Sequence, residues 1–173
     1  MAKTRKRKQT PQKVQHHHLL MRVELESCPH EQDKGRVEEM ISNIIKDIKM
    51  KKLAAPHVYY LKHPLYNEGT TGIAPIETSH IAFHFWNNPD SNILHTVRSK
   101  CLLEFDIYTC GNLTTHDIGK VLHVLTRFTP TYIDITLLDR SKGLTINRHM
   151  HWDLTESTWS EWLNNKLFLE IKK

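Results

Sequence analysis

The chain has 173 residues, 39% of them apolar, and a formal net charge of +5. That length suits one domain with a core of its own, and the longest apolar runs are far too short to cross a bilayer. The charge is uneven: Lys3, Arg5, Lys6, Arg7, Lys8 and Lys13 stand in a stretch with no acid, so the remainder is near neutral.

Residues 1–15 are polar, basic and without periodicity, and are expected to be a disordered tail ahead of a single domain over 16–173. No aromatic is interleaved with these charges, which leaves bases nothing to stack on. Nucleic acid is therefore expected as a partner only through the tail, and no membrane partner is expected. There is no charged-then-apolar secretory pattern. Three cysteines, Cys28, Cys101 and Cys110, form no CxxC spacing, so neither a zinc ribbon nor a disulfide framework is indicated. A reduced, cytoplasmic protein is expected.

His18 to Glu26 alternates as a first strand, with Leu19, Met21, Val23 and Leu25 on one face. Arg36 to Lys49 is a helix whose stripe is Val37, Met40, Ile41, Ile44, Ile45 and Ile48. His57 to Leu61 is a short strand, followed by a loop from His63 to Gly69. Residues 73–86 and 101–110 are expected as two strands joined by a long connection. Thr114 or Thr115 caps a second helix, ended by Pro130. Tyr132 to Leu138 and Leu144 to Trp152 are strands, and Ser157 to Leu169 a last helix. The fold class is α+β: a mainly antiparallel sheet with helices on one face, a two-layer sandwich.

Several polar residues interrupt the two apolar strands. His80 and His84 have HxxxH spacing, and His149 and His151 have HxH, but no acid or thiol stands at zincin spacing, so no metal is assigned. His16, His17 and His18 point in alternating directions on a strand and chelate poorly as a set. Gly-x-Ser-x-Gly is absent around Ser79, which argues against a hydrolase elbow. A third option uses Ser79 differently. A serine that follows a carbonyl held in a strained turn can attack it and shift the acyl group from nitrogen to oxygen. Elimination and hydrolysis then leave a pyruvoyl group, an electrophilic ketone. It forms a Schiff base with a substrate amine, carbon dioxide leaves, and a nearby acid such as the Cys110 thiol returns a proton.

Three motifs support this third option. Thr78-Ser79-His80-Ile81-Ala82-Phe83-His84-Phe85-Trp86 resembles the Glu-Ser-His-x-x-x-His-x-Trp stretch of the bacterial S-adenosylmethionine decarboxylases. Asp106-Ile107-Tyr108-Thr109-Cys110-Gly111 is similar to that family's Asp-x-Phe-Thr-Cys-Gly, and Gly69-Thr70-Thr71-Gly72 to its Gly-x-Ser-Gly. The likeness runs over roughly residues 18–138. It implies a proenzyme that cleaves itself between Thr78 and Ser79, with Ser79 becoming the pyruvoyl cofactor. It implies that His84 serves the processing step, that Cys110 donates the proton, and that Thr71 stands where the family has a processing serine. The implied activity is decarboxylation of S-adenosylmethionine for spermidine and other polyamines.

Ser79 and His84 are five residues apart, roughly 16 Å on one strand at about 3.3 Å per residue, and on opposite faces. They cannot meet within one regular strand. The resemblance implies a homodimer in which His84 acts on the partner's Ser79.

Three positions depart from the family pattern. Thr78 replaces a Glu, with Glu77 one residue earlier. Asn87-Asn88-Pro89-Asp90 opens a longer loop, which displaces an acid to Asp90. No Phe stands where the family stacks adenine, and Leu65 or Tyr66 falls nearest. Tyr66, Glu77 and Asp90 are thus the candidate substrate-binding residues. The departures leave two alternatives: a decarboxylase of arginine or ornithine, and a non-catalytic homologue that binds a partner.

Overall fold

The computed structural model describes residues 15–62 and 68–153. The basic tail, the last expected helix, Leu65 and Tyr66 lie outside these residues. Seven strands are present: β1 (His17–Leu25), β2 (His57–Leu61), β3 (Gly69–Ile76), β4 (Ser79–Asn87), β5 (Cys101–Thr109), β6 (Pro130–Asp139) and β7 (Thr145–Asp153). Two α-helices, α1 (Lys34–Asp47) and α2 (Thr115–Leu125), and three short 3-10 turns complete the described elements. The strands form one antiparallel sheet in the order β2-β3-β4-β5-β1-β6-β7.

The period-two pattern puts one set of side chains under the helices. Leu19, Met21, Val23 and Leu25 of β1 share a buried cluster with Ile81, Phe83 and Phe85 of β4, and with Leu103, Phe105 and Ile107 of β5. The stripe of α1, with Ile41 and Ile44 fully buried, and that of α2, with Ile118 and Leu122, enter the same cluster. Both helices therefore cover one face, and the fold is an α+β two-layer sandwich. Thr114 caps α2 in a capping box: its hydroxyl accepts the Asp117 amide, and the Asp117 carboxylate accepts the Thr114 amide.

The expected strand 73–86 is corrected to a hairpin. Glu77 and Thr78 form a tight turn, and Ile76 pairs with Ser79 across it. The chain reverses just before the serine, without the Gly or Asn that ordinarily marks such a turn. A second correction concerns the cysteines. Cys28 and Cys101, 73 residues apart, are joined as a disulfide with their Cα atoms 5.1 Å apart. Sheet register causes the meeting: Cys101 sits opposite Leu25 at the end of β1, and Cys28 follows three residues later. Cys110 is free and exposed.

The face away from the helices is open and polar at its ends. The connection between β4 and β5 folds back over one end of it and is held by a buried carboxylate. Glu24 is 0% exposed. It accepts the His95 amide at 3.0 Å, His95 Nδ1 lies 2.7 Å from it, and the Ser99 hydroxyl donates to it at 2.7 Å. The His95 ring stacks on Tyr132, and Arg22 donates to the Ile93 carbonyl. Removing an acceptor that serves several buried donors is costly. Glu24→Ala is expected to lower stability by about 2–4 kcal/mol, read as a lower urea midpoint at unchanged slope. An unchanged midpoint would mean the loop does not depend on this carboxylate.

Candidate active site

The turn between β3 and β4 brings four groups to one end of the sheet. Ser79 begins β4 with φ 151°, a region that L-residues rarely occupy. The carbonyl before it, Thr78 O, accepts the Cys110 amide at 3.0 Å. Thr109 Oγ1 donates to Thr78 Oγ1 at 2.8 Å, and the Gly111 amide donates to Thr109 Oγ1 at 2.9 Å. A Cβ at Gly111 would sit 3.2 Å from Thr109 Oγ1, so a small residue keeps this loop close to the turn. Ser79, Thr78 and Cys110 are thus neighbours although 31 residues separate Ser79 from Cys110 in the chain.

Ser79 Oγ lies 3.1 Å from His80 Nδ1. On the far side of that ring, His80 Nε2 is 3.7 Å from Asp106 Oδ2, which also lies 2.9 Å from His18 Nε2. Tyr108 packs edge-on to the His80 ring, and the Arg140 guanidinium sits 4.4 Å above the Tyr108 ring. His17, between His16 and His18, points to the other side and accepts the Leu113 amide.

Thr71 and His84 form a second group further along the same sheet. They face each other across the β3–β4 pairing and line an open hollow of about 680 Å³. Leu20, Ile73, Ala82 and Asp106 also line it. Gly72 lets β3 lie flat there, because a Cβ would come 2.8 Å from the His57 carbonyl and closer still to the Phe83 ring. The His84 ring packs on Trp86 at 3.9 Å, and burial lowers its pKa, which favours the neutral imidazole. Its Nε2 is buried without a hydrogen-bond partner among the described residues.

The two groups do not meet. Strand β4 runs unbroken from Ser79 to Asn87, so the five-residue gap to His84 stands at roughly 16 Å. The acids named from the sequence are engaged elsewhere. Glu77 is exposed in the turn, 3.4 Å from Lys51 Nζ. Asp90 lies beyond the other end of β4, where its carboxylate accepts the Asn92 amide. Among the described residues no three His, Cys, Asp or Glu side chains are placed to hold a metal ion. No helix among them is long and apolar enough to cross a membrane.

Sequence reasoning took His80 only as half of an HxxxH pair and left Asp106 without a role. The signal for His80 was its place directly after the serine. For Asp106 it was an acid at an outward position of β5, opposite Ala82 and two residues from Tyr108.

The chain is thus a two-layer α+β sandwich with a serine held in a strained hairpin turn, its preceding carbonyl hydrogen-bonded by the Cys110 amide. The family model described as S-adenosylmethionine decarboxylase matches residues 18–141, and the chain belongs to that family. No curated protein matches it.

Proposed function

We propose that the chain is a proenzyme that cleaves itself between Thr78 and Ser79 and then works as a pyruvoyl-dependent S-adenosylmethionine decarboxylase in polyamine synthesis. The observation that carries this reading is the Ser79 backbone. Its φ of 151° strains the residue on one side of the scissile bond, and the Cys110 amide polarises the carbonyl on the other. A donor already aimed at Thr78 O suits the oxyanion that forms when a hydroxyl adds to that carbonyl.

The residues present fit a pyruvoyl group at position 79. It would supply an electrophilic ketone that takes a substrate amine and holds the electrons freed when carbon dioxide leaves. Cys110, free and exposed beside the turn, is the proposed proton donor. His84 and Thr71 serve processing from the open face.

The separation of the two groups supports a homodimer with shared sites. The open face carries exposed Leu20, Ile73 and Tyr59, an apolar surface that a second copy would cover. Stacking two such faces about a two-fold axis would carry His84 of each chain toward the turn of the other.

Three positions bear on substrate choice. Thr78 stands in the place of the family's Glu, Glu77 is paired with Lys51, and Asp90 caps its own turn. These engagements favour one second reading, a pyruvoyl-dependent decarboxylase of a different amino acid such as arginine or ornithine.

Intact mass and a denaturing gel test the first part. The 20.4 kDa chain should give two pieces, residues 1–78 and 79–173, and borohydride should trap a carbonyl on the second. One unbroken, well-folded chain with no trappable carbonyl would instead mark a non-catalytic binding homologue. Release of carbon dioxide from S-adenosylmethionine, set against arginine and ornithine, decides the substrate.

A further inference from the structure

We infer that His80, oriented by Asp106, is the base that activates Ser79 for cleavage of its own chain. The inference rests on the self-cleavage reading above and assigns the first proton transfer within it.

Two contacts lie on opposite sides of the imidazole. His80 Nδ1 is 3.1 Å from Ser79 Oγ, and His80 Nε2 faces Asp106 Oδ2 at 3.7 Å. With the ring proton on Nε2, toward the carboxylate, Nδ1 keeps its lone pair for the Ser79 hydroxyl proton. Asp106 does not touch the reacting atoms, so it is a positioning residue. Among the described residues no other imidazole lies within hydrogen-bond distance of this hydroxyl. His84 is on the same strand, five residues on, and pairs with Thr71 instead. His18 shares Asp106 but not Ser79.

The step balances without any added reagent. The Oγ proton passes to His80 Nδ1 as Oγ bonds to the Thr78 carbonyl carbon. Negative charge develops on Thr78 O, where the Cys110 amide already donates at 3.0 Å. The carbon–nitrogen bond then breaks, and the Ser79 nitrogen takes the proton back from His80. An amide has become an ester and a free amine, with no net change in protons. Relief of the backbone strain at Ser79 favours the forward direction. The later removal of the Ser79 Cα proton is a separate transfer, left to His84.

The groups facing His80 are Asp106 and Tyr108 on β5, His18 on β1, and Arg140 over Tyr108; its neighbour on β3 is the uncharged Pro75. Replacing Asp106 by Asn removes the one carboxylate among them.

The test follows newly translated full-length chain by denaturing gel. His80→Ala and His80→Gln should slow cleavage by roughly a hundredfold, the range for loss of a positioned base. Imidazole in the buffer should restore part of the rate in His80→Ala. Asp106→Asn should slow it less, while Asp106→Glu should retain most of the rate. Hydroxylamine, which cuts esters and spares amides, should leave the His80→Gln precursor whole. The inference is overturned if folded His80→Gln splits at the wild-type rate, or if hydroxylamine cuts its precursor at 78/79, which would place His80 after the acyl shift. If His80→Ala does not fold, His80→Gln and Asp106→Asn decide by the same readouts. A wild-type chain that never splits would overturn the self-cleavage reading itself and this inference with it. A wild-type chain that splits beside unimpaired His80 variants overturns this inference alone.

Discussion

Ser79→Gly is expected to give a precursor that never splits, yet unfolds at a higher urea concentration than the Ser79→Ala precursor. Both substitutions remove the hydroxyl, so both should abolish chain cleavage, carbonyl trapping and carbon dioxide release. They differ in what they do to the backbone. At φ 151° a residue with a Cβ is strained, and glycine is not. Such outliers cost of order 1–3 kcal/mol. Glycine gives back about 0.5–1 kcal/mol because its unfolded chain is freer. The balance favours Ser79→Gly over Ser79→Ala by roughly 1–2 kcal/mol. At a urea slope of about 1–3 kcal/mol per molar, that separates the midpoints by roughly 0.5–1 M. Equal midpoints, or a less stable glycine variant, would show that the turn stores no strain at this residue. The proposed cleavage would then lack one of its two physical supports.

The contrast between this turn and the rest of the fold explains what could be read from the residues. Val37, Met40, Ile41, Ile44 and Ile45 keep a 3.6-residue period, and all five are buried in α1. Leu19, Met21, Val23 and Leu25 keep a period of two and line the core. Periodicity reports which side of an element faces the core, and that much was legible. The hairpin was not, because residues 73–86 are β-prone on both sides of Glu77-Thr78 and no glycine punctuates the turn. Its position depends on tertiary fastening. The Glu77 amide donates to the Lys51 carbonyl, and the Cys110 amide to Thr78 O.

The pairing of Cys28 with Cys101 was hidden for a related reason, since only the β1–β5 register brings them together. Glu24 shows the limit of alternation. It sits on the side away from the helices, where a carboxylate reads as solvated, but a loop from 71 residues further on closes over it. The roles of Ser79, His84, Cys110 and Thr71 came from the family resemblance. Their geometry sorts them into two groups at separate places on the sheet, which a list of motif residues does not disclose.

That sorting leads to the second large effect. Chains carrying Ser79→Ala and chains carrying His84→Ala should each remain whole when made alone, and the His84→Ala chain should be cut when the two are made together. Within one chain, Ser79 and His84 lie roughly 16 Å apart on an unbroken strand. Among the described residues His84 Nε2 has no hydrogen-bond partner, although such a polar atom ordinarily finds one. In a mixed dimer the Ser79→Ala chain still carries His84, and it faces the intact Ser79 of the other chain. Random pairing of equal amounts puts about half of the His84→Ala chains into mixed dimers, so about half should split. The converse mixture tests the same geometry from the other side. A chain with both substitutions, made with wild type, should leave about half of the wild-type chains uncut, because their Ser79 then faces a partner without the imidazole. Tags of different mass on the two chains let one gel read both results. If His84 works on its own chain, the first mixture stays whole and the second splits fully at its wild-type half, and the shared-site dimer is then excluded.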